Sequence, residues 1–185
     1  MSLWGAYESD ESKPKYLTDA EKKNCYATAE GWVYKHPSGD EEILVAIGNL
    51  AGISGITNLG EATISDVTFV TSSLEAADSV ITVTVGYNEK VTVTGNPTMV
   101  IANDDTSGDG NGDYTLAYSA GTGTNQLTFT ATGLTLSATD VLSVGAQNIA
   151  LAGGTIKDTA SSSVDSEVAI SAAVGSAAST VTVTA

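Results

Sequence analysis

The 185-residue chain contains no arginine, one histidine, one cysteine and three prolines, and only 6% of its residues are aromatic. A lone Cys25 leaves no internal disulfide to form, and a single free cysteine reads as a small buried hydrophobe before it reads as a reactive thiol. There is no run of about 18 apolar residues, so no transmembrane helix is expected. Seven lysines face 22 acids, giving a formal net charge of −15. Nucleic-acid binding needs cations that displace counterions from phosphates, so no nucleic-acid partner is expected. An anionic membrane surface would repel the chain for the same reason. Charged residues make up 16% of the chain and hydrophobic residues 42%, a balance that separates it from disordered sequences.

Catalytic residue types are equally scarce. His36 lies in His36-Pro37-Ser38-Gly39-Asp40, where Pro and Gly give turn chemistry; a solvated turn residue is the plainer reading than a general base. No glycine-rich phosphate loop follows a strand and opens a helix. The chain is therefore not expected to be an enzyme. Its opening, MSLWGAYESDESKPK, is acidic and has no apolar stretch, unlike an export signal. The remainder, rich in Thr, Ser, Gly and Ala, nevertheless has the composition of a surface protein. Assembly within a cell into a particle released by lysis reconciles the two.

The composition changes near Leu50. Residues 1–52 hold five of the seven lysines, both tryptophans, four of the seven tyrosines and the histidine. Thr18 and Glu21 have capping-box spacing, which predicts a helix over about 19–30 stopped by Gly31. A hairpin over about 32–47 follows, around the Pro-Gly turn. Residues 1–52 thus read as an N-terminal anchoring arm, and 53–61 as a Gly-rich linker. The arm is too small to bury its aromatic residues alone, so it is expected to dock on the rest of the chain or on a partner.

From residue 62 to 171 the chain alternates with period two. Ile81, Val83 and Val85 face one way and Thr82 and Thr84 the other; Leu127 and Phe129 alternate with Thr128 and Thr130, and Leu134 and Leu136 repeat the pattern. Such alternation marks strands with one buried and one wet face. Strands are predicted over about 62–70, 80–87, 90–94, 98–103, 113–119, 126–132, 141–144, 148–151 and 168–171. Turn signals recur between them at the spacing of a β-sandwich. Residues 172–185 read as a small-residue linker ending in an extra strand, Val181-Thr182-Val183-Thr184. That strand either completes the chain's own sheet or augments a neighbouring chain.

Two constellations are candidate sites. Asp109, Asn111 and Asp113 have the one-three-five spacing of a calcium loop, with Asp105 nearby. The sixth position is Tyr114 and the twelfth Ala120, which lacks the bidentate carboxylate, so a solvated hairpin loop competes with a calcium site. The second is aromatic: Trp4, Tyr7, Tyr16, Leu17, Trp32 and Tyr34 are candidate partner-binding residues, since buried anchors at interfaces are predominantly aromatic. The alternative is that Tyr26 and Trp32 form the arm's own core.

Three separated stretches, DSVITVTVGYNEKVTVTGNPTMVI (78–101), YSAGTGTNQLTF (118–129) and IALAGGTIKD (149–158), resemble a family of bacterial and phage immunoglobulin-like domains found in large surface proteins. The resemblance implies an all-β, immunoglobulin-like β-sandwich over 62–171, preceded by an arm with a short helix and hairpin. The first fifty residues, through Trp4-Gly5, SKPKYL (12–17), AEGWV (29–33) and EILVAIG (42–48), resemble virion structural proteins of marine T4-like phages (cyanophages). That resemblance implies a particle component: a capsid decoration protein on the outer capsid surface, with the major capsid protein or other virion proteins as partners and a homo-oligomer among the options. A tail, neck or adhesin-type module that binds cell-surface glycans is the alternative.

Overall fold

The computed structural model describes residues 13–52, 59–160 and 164–185. Trp4 and Tyr7 lie outside them, as does most of the predicted linker. Strands make up 47% of the described residues and helix 7%.

The N-terminal unit comprises α1 (Asp19–Lys23), β1 (Cys25–Thr28), β2 (Gly31–Lys35) and β3 (Glu41–Ala46). The predicted capping box is present: Thr18 Oγ1 accepts from the Glu21 amide, and Glu21 Oε2 accepts from the Thr18 amide at 2.8 Å. The helix over 19–30 is corrected, because α1 ends at Asn24 and the chain continues as a strand. A helix of five residues gains little on its own. Cys25 to Thr28 pair in register with Tyr34 to Gly31, which buries Cys25 and Ala27 against Trp32. The expected hairpin forms between β2 and β3, with a bulge at Trp32/Val33. This three-stranded meander has a small core of Cys25, Ala27, Trp32, Leu50 and Ala51, with Leu17 and Leu44 packed on it.

Gly31 links β1 to β2 at φ 133°, in the region that favours glycine. A Cβ there would overlap the Val45 carbonyl oxygen across the β2–β3 pair. Gly31→Ala is therefore expected to destabilise the chain by about 1–3 kcal/mol in urea denaturation; an unchanged midpoint would contradict this packing.

The body comprises β4 (Ile64–Phe69), β5 (Leu74–Glu75), β6 (Val80–Thr94), β7 (Thr98–Asn103), β8 (Tyr114–Ala120), β9 (Thr124–Thr132), β10 (Val141–Ser143), β11 (Gln147–Asn148), β12 (Thr155–Asp158), β13 (Ala169–Ile170), α2 (Ala172–Ala177) and β14 (Val181–Thr184). The strands predicted over 80–87 and 90–94 are one strand, β6. Its first half lies between β4 and β9, and its second half pairs with β12. The pairing register with β9 breaks between Gly86 and Val91, where Ala27 of β1 pairs in parallel with Glu89. The main hydrogen-bonded path runs β3-β2-β1-β6-β9-β8-β7-β10-β14-β5, and β11 pairs with β13 separately.

Ile81, Val83, Val85, Leu127 and Phe129 are buried, as their alternation requires, and they share one core with side chains from β4, β7, β8, β10, β12 and β14. One sheet path whose strands share one core makes a sandwich-like all-β body. Leu134 and Leu136 are outside any strand, although Leu136 is buried. Residues 172–177, predicted as linker, form α2, because the run is alanine-rich and Ser171 caps it by accepting from the Val174 amide. The terminal strand completes the chain's own sheet: Val181 pairs with Leu142 and Val183 with Leu74.

Polar contacts fix the meander to the body. Asn125 Nδ2 and Gln126 Nε2 both donate to the Lys23 carbonyl, at 3.1 and 2.7 Å. Lys23 Nζ donates to Thr68 Oγ1 at 2.6 Å, and Lys13 Nζ to the Lys22 carbonyl and Ser65 Oγ. Lys90 Nζ lies 3.3 Å from Glu41 Oε1 and 4.8 Å from the centre of the Tyr26 ring.

Candidate functional site

The acidic loop joins β7 to β8 and lies against the turn that enters β10. Of the one-three-five residues, Asn111 donates from Nδ2 to Asp109 Oδ2 at 2.8 Å and from its amide to Asp109 Oδ1, while Asp113 Oδ1 accepts from the Asn103 amide. The structure gathers Asp105 and Asp109 with Asp140, their carboxylate oxygens all within 4.8 Å of one another. These three acids are close enough together to share a divalent cation. Calcium takes six to eight oxygens, so other donors would have to complete the shell.

The loop's carboxylates also organise its backbone. Asp140 is 1% exposed. Its Oδ1 accepts from the Ser107 amide at 2.8 Å, and its Oδ2 accepts from Asn103 Nδ2 at 3.1 Å. These bonds, the Ser107 amide first, hold its pKa below the ordinary aspartate value. Asp104 is lowered similarly, by the Thr106 hydroxyl and then the Val141 amide. The Tyr114 phenol, which donates to the Thr135 carbonyl, is raised by burial and then by Asp140, Asp109 and Asp105.

Asp140 escaped the sequence reading. It is remote from the loop in sequence, and an Asp in a turn before a short strand is an ordinary turn residue. Asp140→Ala strips the Ser107 amide and Asn103 side chain of an acceptor. The variant is expected to melt a few degrees lower and to exchange its Ser107 amide much faster. Because folding depresses the Asp140 pKa, the wild-type advantage is present above the ordinary aspartate pKa and is lost as the pH falls through the folded-state value.

The aromatic candidates separate by exposure. Trp32 is 2% exposed and belongs to the meander's core, so the self-packing alternative describes it. Leu17 packs on the same core, and Tyr34 is half-buried, edge-on to His36 with ring centres 4.8 Å apart. Tyr16 is 66% exposed. Beside this segment, Lys13, Lys22 and Lys23 line a cleft of about 580 Å³ together with Asp66 and α2 residues. His36 Nε2 lies 3.0 Å from Glu42 Oε2 across the β2–β3 hairpin. Burial pushes the Cys25 thiol up to about 11, so it is protonated at neutral pH and sits in the core as an apolar group.

A scan against protein-family models, a search of curated proteins and a search of solved structures each found no match to this chain.

Proposed function

We propose that the chain is a non-enzymatic virion structural protein. In this reading it decorates the outer capsid surface: an immunoglobulin-like sandwich over 62–171 faces the medium, and the N-terminal unit with its leader grips the major capsid protein or another virion protein. One observation supports this reading most: the segment that carries Tyr16 and three cleft lysines is fixed onto an otherwise acidic body. Exposed Tyr16, close in sequence to lysines that share their cleft with Asp19 and Asp66, suits docking on a partner protein through an aromatic anchor. Many copies on one particle would gain avidity, and bound copies would stabilise the assembled state by mass action.

The glycan-binding alternative calls for an exposed aromatic platform on the body. Tyr87, Tyr114, Phe69 and Phe129 are buried there, and Tyr118 is half-buried with its hydroxyl accepting from the Thr122 amide. This distribution favours the decoration reading.

Replacing Trp4, Tyr7 and Tyr16 together with alanine is expected to remove the chain from purified particles in co-sedimentation, with the melting temperature unchanged to within a few degrees. Undiminished co-sedimentation of this variant would refute the anchoring role.

A further inference from the structure

Only one asparagine of the chain, Asn111, is followed by glycine. It lies in the irregular segment between β7 and β8, where Gly112 is exposed. The backbone nitrogen that follows an asparagine can attack the carbonyl carbon of that asparagine's side chain. Three features decide where this happens: whether the nitrogen carries a proton, whether a hydrogen bond holds it, and whether a side chain on the following residue blocks the approach.

Elsewhere the attack is hindered. Pro97, after Asn96, has no N–H. After Asn103, the Asp104 amide donates to the Val141 carbonyl at 3.2 Å; after Asn148, the Ile149 amide donates to the Val168 carbonyl at 2.9 Å. After Asn125, the Gln126 amide donates to Thr124 Oγ1 at 3.1 Å. The Gly112 amide has no such bond among the described residues, and a Cβ at Gly112 would meet nothing within 4 Å. The peptide that would react is also polarised, because Asn103 Nδ2 donates to the Asn111 carbonyl oxygen at 3.0 Å. When the Gly112 nitrogen loses its proton, that oxygen shares the negative charge, so the bond strengthens as the nucleophile forms.

We propose that Asn111 is a site of spontaneous deamidation through a succinimide formed with Gly112. The Gly112 nitrogen, its proton taken by hydroxide, bonds to Asn111 Cγ. The Cγ–Nδ2 bond breaks, and Nδ2 takes a proton from water and leaves as ammonia. A water molecule then adds to either ring carbonyl and opens the ring to aspartate or isoaspartate, so the whole step consumes one water and releases one ammonia. The product alters the loop. Asn111 Nδ2 donates to Asp109 Oδ2 at 2.8 Å, to Ser137 Oγ at 3.2 Å and to the Thr135 carbonyl at 3.3 Å. A carboxylate donates none of these bonds, and it sets a further negative charge beside Asp109 and the group that residue forms with Asp105 and Asp140. The tie between the β7–β8 loop and residues 135–137 is therefore lost as the chain ages.

The test incubates the full chain at pH 6 and at pH 9 and follows intact mass, with peptide mapping to place the change. The expected result is a gain of about 1 Da on the peptide that holds Asn111, faster at pH 9 because the attacking nitrogen must lose its proton. Aspartate and isoaspartate are both expected as products, and the aged chain should melt several degrees below the fresh one. Gly112→Ala, which the open space accommodates, slows the gain severalfold. Asn111→Gln, whose longer arm must close a larger ring, stops the gain at this position. No gain at Asn111, a gain at another asparagine in its place, or a rate that Gly112→Ala leaves unchanged would overturn the proposal. An aged chain that melts like the fresh one would overturn the loss of the loop's tie.

Discussion

Phe129→Ala is expected to lower the unfolding free energy by about 3–5 kcal/mol, a large share of the roughly 5–15 kcal/mol that holds a domain together. Phe129 is fully buried on β9, the strand between β6 and β8. It sits opposite Val83 on one side and Tyr118 on the other, with the Tyr118 ring edge-on at 6.1 Å between centres. Removing the ring deletes its burial and the aromatic pair, and leaves a void where two strand pairings meet. The neighbouring strands are fixed by their ladders, so the void cannot close cheaply. Val100 on β7, at 39% exposure, is the contrast: Val100→Ala is expected to stay within about 0.5 kcal/mol of wild type. Urea unfolding of both variants measures the difference. Equal losses would mean that the alternation in β9 does not point Phe129 into the core.

The second large effect concerns pH. Burial, and then the neighbouring Asp158, push the Glu89 carboxyl up to about 8 from its ordinary 4.5. The unfolded chain releases this proton near 4.5 and the folded chain near 8. The folded state therefore has its full advantage below 4.5, loses it progressively as the pH rises between the two values, and loses no more above 8. The loss comes to about 2–4 kcal/mol. Wild-type stability is expected to decline from pH 5 to pH 8. Glu89→Gln keeps the shape and removes the titration, so the difference between variant and wild type should grow in the variant's favour across that window. A constant difference from pH 5 to pH 8.5 would show that Glu89 is solvated.

How much of this was legible in the sequence depended on how local its causes are. The strand Thr98–Asn103 matches its expected bounds because Thr98, Val100 and Ile101 are β-branched and Pro97 and Asp104 punctuate its ends. The capping box at Thr18 was equally readable, since both of its partners lie within one turn. The fate of Cys25 to Thr28 was not. Sequence spacing continues the helix, and only pairing with Gly31 to Tyr34 turns the segment into a strand.

The sites follow the same division. The Asp-rich loop is visible as composition, but Asp140 enters it through tertiary packing alone. Asn88 and Glu89 looked like a break between two strands. The strand runs through them, and its register shift admits β1, which is what buries Glu89. Tyr16 and Trp32 looked alike as aromatic anchors until the meander's core took one and left the other outside.

The functional account rests on the chain occupying the outside of a particle. Low-resolution cryo-electron microscopy of purified virions, with and without antibody against residues 62–171, measures this most directly. The account predicts antibody density regularly spaced over the outer capsid surface, with the N-terminal unit against the shell. Antibody density on the tail or neck alone, or unlabelled particles with the chain free in the lysate, would contradict it.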